Sequence, residues 1–205
     1  MEIRSDGFKK EEIYKLITGC VVPRPIAWVS SLNENGSVNL APFSTFTFVS
    51  SFPPMLGFNV GRRLDRPKDT TRNILDIGDY VVHIADESML DDMHKSSFAY
   101  PPGVSEAEVL GLQTVASTIV RTPRLAAAPI SMECRLTSIT DFSGNGDGFV
   151  VGEVLMFHVR DDLLDGMKID SNKLRPVSRL AGENYAYLGE IVSMSTSSNG
   201  TPPNR

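Results

Sequence analysis

Residues 39–54 read NLAPFSTFTFVSSFPP. The run has the aromatic content and alternation of a buried strand. It also carries five hydroxyls, Ser44, Thr45, Thr47, Ser50 and Ser51, and ends in Pro53-Pro54. A strand that only filled a core would place valine or isoleucine at some of those positions. Pro42 interrupts the ladder and leaves a locally free edge, which offers backbone N–H groups to a flat, partly polar ring. Phe46, Phe48 and Phe52 read as packing residues, and Thr47 as a core or cross-strand partner.

The neighbouring segments give the fold class. IAWVSS (26–31) reads extended, and Asn35-Gly36 is a strong hairpin signal, so it should pair antiparallel with SVNLAPFSTF (37–46). MLGFNVG (55–61), GDYVVHIA (78–85), ISMECRLTSITDF (130–142) and GFVVGEVLMFHV (148–159) read as further strands, the last two joined by the turn SGNGDG. Helices are expected over 9–18, over 67–77, over 88–98 with Ser88 as cap, and after the capping box Ser105–Glu108. LRPVSRLAGENYAYLGE (174–190) mixes a loop with short strands. Six to eight strands, mostly in hairpins, predict a closed antiparallel barrel with short helices around it. Doubly wound β-α-β alternation is absent from most of the chain.

Composition narrows the function. The 205 residues carry a net charge of −5, which leaves no basic footprint for nucleic acid. No window of 18 apolar residues exists, so no membrane-spanning helix is expected. MEIRSDGFKKEE lacks the apolar core of a signal peptide, which points to the cytoplasm. Residues 1–192 read as one domain, and 193–205 as a disordered tail with almost nothing to bury. Cys20 and Cys134 read as buried thiols. His83, His94 and His158 have no metal spacing, and His83 and His158 read as core or surface histidines. There is no GxSxG and no phosphate-loop motif, so no catalytic side chain and no metal ligand is assigned.

One segment points to an anion. GRRLDRPKDTTRN (61–73) holds Arg62, Arg63, Arg66, Lys68 and Arg72 beside a helix start near Thr70. A helix N-terminus suits a phosphate, and Lys68 with the Thr70 and Thr71 hydroxyls would complete a cradle. Ser50 and Ser51 fall at the end of the long strand, where they can approach that segment. Phosphate donors at one end and a ring bed at the other describe a mononucleotide cofactor, and flavin mononucleotide (FMN) fits.

RPIAWVSS, NG, NLAPFS, SSFPP and KDTTRNI resemble, in order and spacing, the flavin reductase-like family of FMN-binding split barrels. That group includes small components of two-component monooxygenases and the flavoredoxins. APISMEC (128–134), VVGEVLMFHV (150–159) and LRPVSRLAGENYAYLGE resemble its later strands and closing loop, so the likeness runs from Leu16 to Ile191. The resemblance implies a split β-barrel of Greek-key character with a few peripheral helices. It implies a homodimer with FMN near the interface, NADH or NADPH as donor, and a partner monooxygenase or electron-transfer protein. By position Asn39, Ala41, Pro42, Phe43, Ser44 and Thr45 would line the ring. Ser50, Ser51, Arg62, Lys68, Asp69 and Thr70 would surround the phosphate, supported by Asn73, with Lys95 as a further cation. Many NADH-using members carry Gly-Asp-His where this chain reads Gly146-Asp147-Gly148. That difference keeps a second reading open, a flavoredoxin-type electron carrier without turnover. A third is a barrel for another phosphorylated ligand.

Overall fold

The stretch 39–54 supplies both edges of one sheet. The computed structural model describes residues 1–61, 67–144, 146 and 148–194. Its main strands are β1 (Ala27–Leu32), β2 (Val38–Phe43), β3 (Phe46–Ser51), β4 (Pro54–Asn59), β5 (Asp79–Ile84), β6 (Ile130–Asp141) and β7 (Gly148–Val159). They form a seven-stranded antiparallel sheet in the order β2-β1-β5-β6-β7-β4-β3. β2 and β3 stand at opposite ends of that order, yet only Ser44 and Thr45 separate them. Three Cα steps reach about 10–11 Å. The sheet must therefore curl until its edges meet at these two residues, where Asn59 N–H donates to the Thr45 carbonyl at 2.9 Å.

β1 is buried on both faces, which is why IAWVSS mixes apolar residues without polar alternation. Ala27 and Val29 join the barrel core with Phe58, Tyr80, Val82 and Met132. Ile26 and Trp28 face an outer layer with Met89, Met93 and Leu125. Helices sit outside the sheet: α1 (Lys10–Cys20), α2 (Asp69–Ile77), α3 (Leu90–Lys95) and α4 (Glu106–Val109). The Asn35-Gly36 hairpin forms, with Gly36 at φ 82° and Leu32 opposite Val38. The turn of SGNGDG closes on Asp141, whose carboxylate accepts from Ser143, Gly144 and Gly146 N–H. At Gly152 in β7 an added Cβ would lie 2.8 Å from the Arg135 carbonyl and against the Tyr80 hydroxyl. Only glycine admits that close approach of β6, β7 and β5.

Several expectations change. Phe48 is 74% exposed and Phe52 94%, so neither packs in the core; β3 is an edge strand whose outer face no other described residues cover. Cys20 is exposed at the end of α1, because no residue of that helix is buried; Cys134 is buried. The 88–98 segment is a 3₁₀ turn at Glu87–Met89 followed by α3, and Asp86, not Ser88, is the cap: its carboxylate accepts the Ser88 N–H at 3.0 Å. Residues 195–205, most of the expected tail, lie outside the described residues. Among the described residues no helix is long and apolar enough to cross a membrane. Among them, too, no group of three His, Cys, Asp or Glu is placed to hold a metal.

His83 is a core histidine. Leu125 N–H donates to its Nε2 at 3.0 Å, so the proton sits on Nδ1, 2.8 Å from the Trp28 carbonyl. Burial lowers this imidazole to about 4 and keeps it neutral. Glu133 in β6 is also buried, but charged. It accepts from the N–H groups of Thr118 (2.6 Å), Ile119 (2.6 Å) and Val120 (3.0 Å) and from His158 Nε2 (2.6 Å). Burial alone would raise its pKa; those donors outweigh burial and hold it at about 2. Asp79 holds the next residues, accepting from Arg121 and Thr122 N–H and the Thr122 hydroxyl. Two carboxylates thus clamp the 118–122 loop to the sheet.

Glu133 has an ordinary value of 4.5 and a lower folded one. Its contribution is therefore complete above about pH 4.5 and is lost as pH falls towards 2. Glu133→Gln should cost about 1–3 kcal/mol at pH 7 and flatten the loss of stability between pH 4.5 and 2. Urea unfolding at several pH values reads both; an unchanged pH slope would contradict the clamp.

Candidate functional site

Two clefts adjoin at β2. The first, about 210 Å³, has Asn39, Ala41, Pro42 and Phe43 on one wall and Lys68, Asp69 and Thr70 on another. The turn Ser96–Ala99 after α3 and Glu106 of α4 close it. The two predicted groups, strand bed and helix start, therefore meet in space.

The helix start is shaped for an anion. Lys68 precedes α2 with extended backbone (φ −65°, ψ 155°) and gives it no side-chain cap. The N-terminal end of α2 thus presents its partial positive charge to the cleft. The Lys68 ammonium stands 5.4 Å from the centre of the Phe43 ring. Asp69 pairs with Arg72 at 2.9 Å. Thr70 is fixed by Asn39, whose Nδ2 donates to its hydroxyl at 2.9 Å and to Ser31 Oγ at 3.1 Å. Asn73 Nδ2 donates to Ser31 Oγ (3.2 Å) and Asn33 Oδ1 (2.8 Å). Asn73 therefore ties the helix to the hairpin from beneath. The buried Thr71 hydroxyl has no hydrogen-bond partner among the described residues.

The second cleft, about 230 Å³, continues past Pro42 and Ser97, which line both. Its walls are Ser44 and Ile26, Tyr14 and Thr18 of α1, and Arg24, Arg179, Gly182 and Tyr185. A small sheet positions the last group: Arg24 lies opposite Arg179, and Arg179 opposite Tyr185.

Other predicted residues stand apart within one chain. Thr45 is exposed at the barrel seam. Ser50 and Ser51 sit at the far end of β3, where Ser50 Oγ accepts the Phe52 N–H at 3.2 Å. Lys95 is exposed on the last residue of α3. None of these four lines either cleft. Arg62 lies outside the described residues. Sequence reasoning missed Glu106, which accepts the Leu40 N–H at 2.8 Å on the wall of the first cleft. It also missed the Ser96 turn, held by the Trp28 indole N–H at 2.9 Å. Trp28 is wholly buried and supports the cleft without lining it.

Comparison with known proteins agrees with this architecture. Residues 18–177 match the flavin reductase like domain family. Nitrilotriacetate monooxygenase component B from Bacillus cereus is 36% identical, with a TM-score of 0.91 over 95% of this chain and 98% of that one. The 2-nitrobenzoate 2-nitroreductase NbaA of Pseudomonas fluorescens is 34% identical, with a TM-score of 0.89 over 97% and 98%. A split-barrel-domain protein from Shewanella frigidimarina, 19% identical, shares the fold at a TM-score of 0.84 over 96% and 100%. The chain belongs to the flavin reductase-like family and has the split-barrel fold.

Proposed function

We propose that this protein binds FMN in the first cleft, with the ring reaching Pro42–Ser44 where the second begins, and acts as a reductase, passing electrons from NADH or NADPH to free flavin or another acceptor. One observation carries the reading: an uncapped helix start with Lys68 and Thr70 opens directly onto the wall of β2, an end strand of the sheet whose pairing with β1, against expectation, runs unbroken through Pro42. That juxtaposition fits a phosphate joined to a flat ring. Bound flavin supplies the electron transfer. The chain's own residues bind and orient. Lys68 and the α2 N–H groups meet the phosphate, and Asn39 fixes the Thr70 hydroxyl towards it. The Ala41–Ser44 main chain beds the ring. Asn73 holds α2 against the hairpin. Lys95, exposed next to the Ser96–Ala99 turn, adds positive charge at longer range, and Arg62 would contribute a further cation.

A homodimer completes the site in this reading. Phe48, Val49 and Phe52 form an exposed apolar edge on β3, which a second copy would cover. Ser50 and Ser51 then approach the flavin from the interface. The likeness to a monooxygenase component B supports a partner oxygenase. One observation favours a flavoredoxin-type electron carrier as second reading. At Gly148, the position of the missing imidazole, an added Cβ would lie 2.6 Å from the Ile139 side chain, so a larger residue there requires Ile139 to shift.

Three outcomes test these statements. Lys68→Ala with Thr70→Ala should weaken FMN binding by about 1.5–3 kcal/mol for each charge-assisted hydrogen bond removed, measured by fluorescence titration; unchanged affinity in the folded variant moves the site elsewhere. NADH or NADPH oxidation should rise with added free FMN. FMN that binds but is reduced by neither donor leaves only the electron-carrier reading. Phe48→Ser with Phe52→Ser should shift sedimentation from dimer to monomer, and a dimer that persists places the interface elsewhere.

A further inference from the structure

The second cleft holds two guanidinium groups side by side. Arg24 and Arg179 are direct cross-strand partners in the small sheet, so their side chains leave the same face. Like charges in that arrangement repel and destabilise the pairing. Both residues are half-buried. Among the described residues neither has a carboxylate within ion-pair distance. Partly desolvated cations without a counter-ion are costly, and an anion removes the cost.

The surrounding contacts hold the two groups still. Arg24 Nη1 donates to the Thr18 and Val21 carbonyls at 2.6 and 2.7 Å, and Nη2 to the Leu180 carbonyl at 3.0 Å. Arg179 Nη1 donates to the Tyr185 hydroxyl oxygen at 2.6 Å, and Nη2 to the Gly182 carbonyl. Its guanidinium stacks 4.6 Å from the Tyr185 ring centre. His94 Nδ1 lies 3.0 Å from the same hydroxyl. Each guanidinium has five N–H donors, so both keep donors beyond these bonds. The fork is oriented before any ligand arrives, which reduces the ordering cost of binding.

The cleft also has an apolar side and an entrance. Ile26, Pro42 and Tyr14 give flat, apolar walls. A further cavity of about 550 Å³ continues between α1 and Ala181-Gly182, sharing Tyr14, Thr18 and Gly182 with the cleft. Lys10 and Lys15 stand there with Glu11 as the one acid among its lining residues. Positive charge at the entrance and in the interior favours the approach of an anion.

We infer that the second cleft is a substrate subsite for a planar ring bearing an acid group, with Arg24 and Arg179 holding the acid. The inference extends the flavin reading, because Pro42 and Ser97 place this subsite next to the ring bed. Arg179 is the specificity-determining residue, Arg24 braces α1 as well as the anion, and Tyr185 with His94 positions Arg179. The acid is a carboxylate or a phosphate, and both meet a guanidinium fork in the same way.

The test uses the purified protein with its flavin, isothermal calorimetry, and three probes: benzoate, its neutral counterpart benzamide, and nicotinamide mononucleotide. At least one of the two anions should bind about tenfold or more tightly than benzamide, and weaken with added salt while benzamide does not. Arg179→Gln should remove that preference, and Arg179→Lys should restore part of it, with flavin content unchanged in both. The tighter anion names the acid group. Equal binding of anions and benzamide, or a preference that survives Arg179→Gln, overturns the inference. If Arg179→Gln fails to fold, the salt dependence in the wild-type protein decides. Failure of the flavin reading shows separately, as a protein without flavin absorbance, on which the same calorimetry still reads the arginine pair.

Discussion

Everything in this fold depends on a two-residue link. Ser44 and Thr45 join the strands that form the two edges of the sheet. A chain cannot connect the ends of a seven-stranded sheet with so short a link unless the sheet closes. The link turns an open sheet into a barrel, and it puts a strand end, Pro42–Ser44, at the seam. Elsewhere the edges diverge, and β3 keeps an exposed face with Phe48 and Phe52. Barrel closure, the β2 wall of the cleft and the exposed apolar edge thus follow from one constraint.

The site is then a matter of docking a helix onto that seam. α2 is bonded to the β1–β2 hairpin through buried side chains: Asn39 to Thr70 and Ser31, Asn73 to Ser31 and Asn33. Each such bond contributes about 1 kcal/mol, but a buried amide left unpaired would cost more, so the network fixes one arrangement. The helix start is the part left without a side-chain cap. The Thr71 N–H donates to the Lys68 carbonyl at 3.0 Å, and the N–H groups ahead of it have no acceptor within the helix.

Much of this is legible in the sequence. The strands are visible because alternation and the Asn35-Gly36 turn are local signals. That NLAPF and KDT line one cleft is legible because a proline-bearing strand end and a basic helix start have recognisable residue types. Where reading and structure part, the reasons are physical. Phe48 and Phe52 look like core because an exposed apolar edge has the same composition as a core strand. Ser88 has the residue type of a cap, but Asp86, two residues earlier, starts the turn first and offers a charged acceptor. Glu133 and the Arg24–Arg179–Tyr185 row are invisible because their partners are distant in the chain and brought together only by the sheets. For His83 the sequence leaves core or surface open, and the structure makes it a core residue between apolar neighbours of β5.

The central claim is that β2 and the start of α2 form one flavin site. A crystal structure of the protein grown with FMN tests it most directly. The account predicts the phosphate within hydrogen-bonding distance of Lys68 Nζ and Thr70 Oγ1, with the ring along Pro42–Ser44. A phosphate seated instead against Arg24 and Arg179, or flavin bound away from β2, would contradict it.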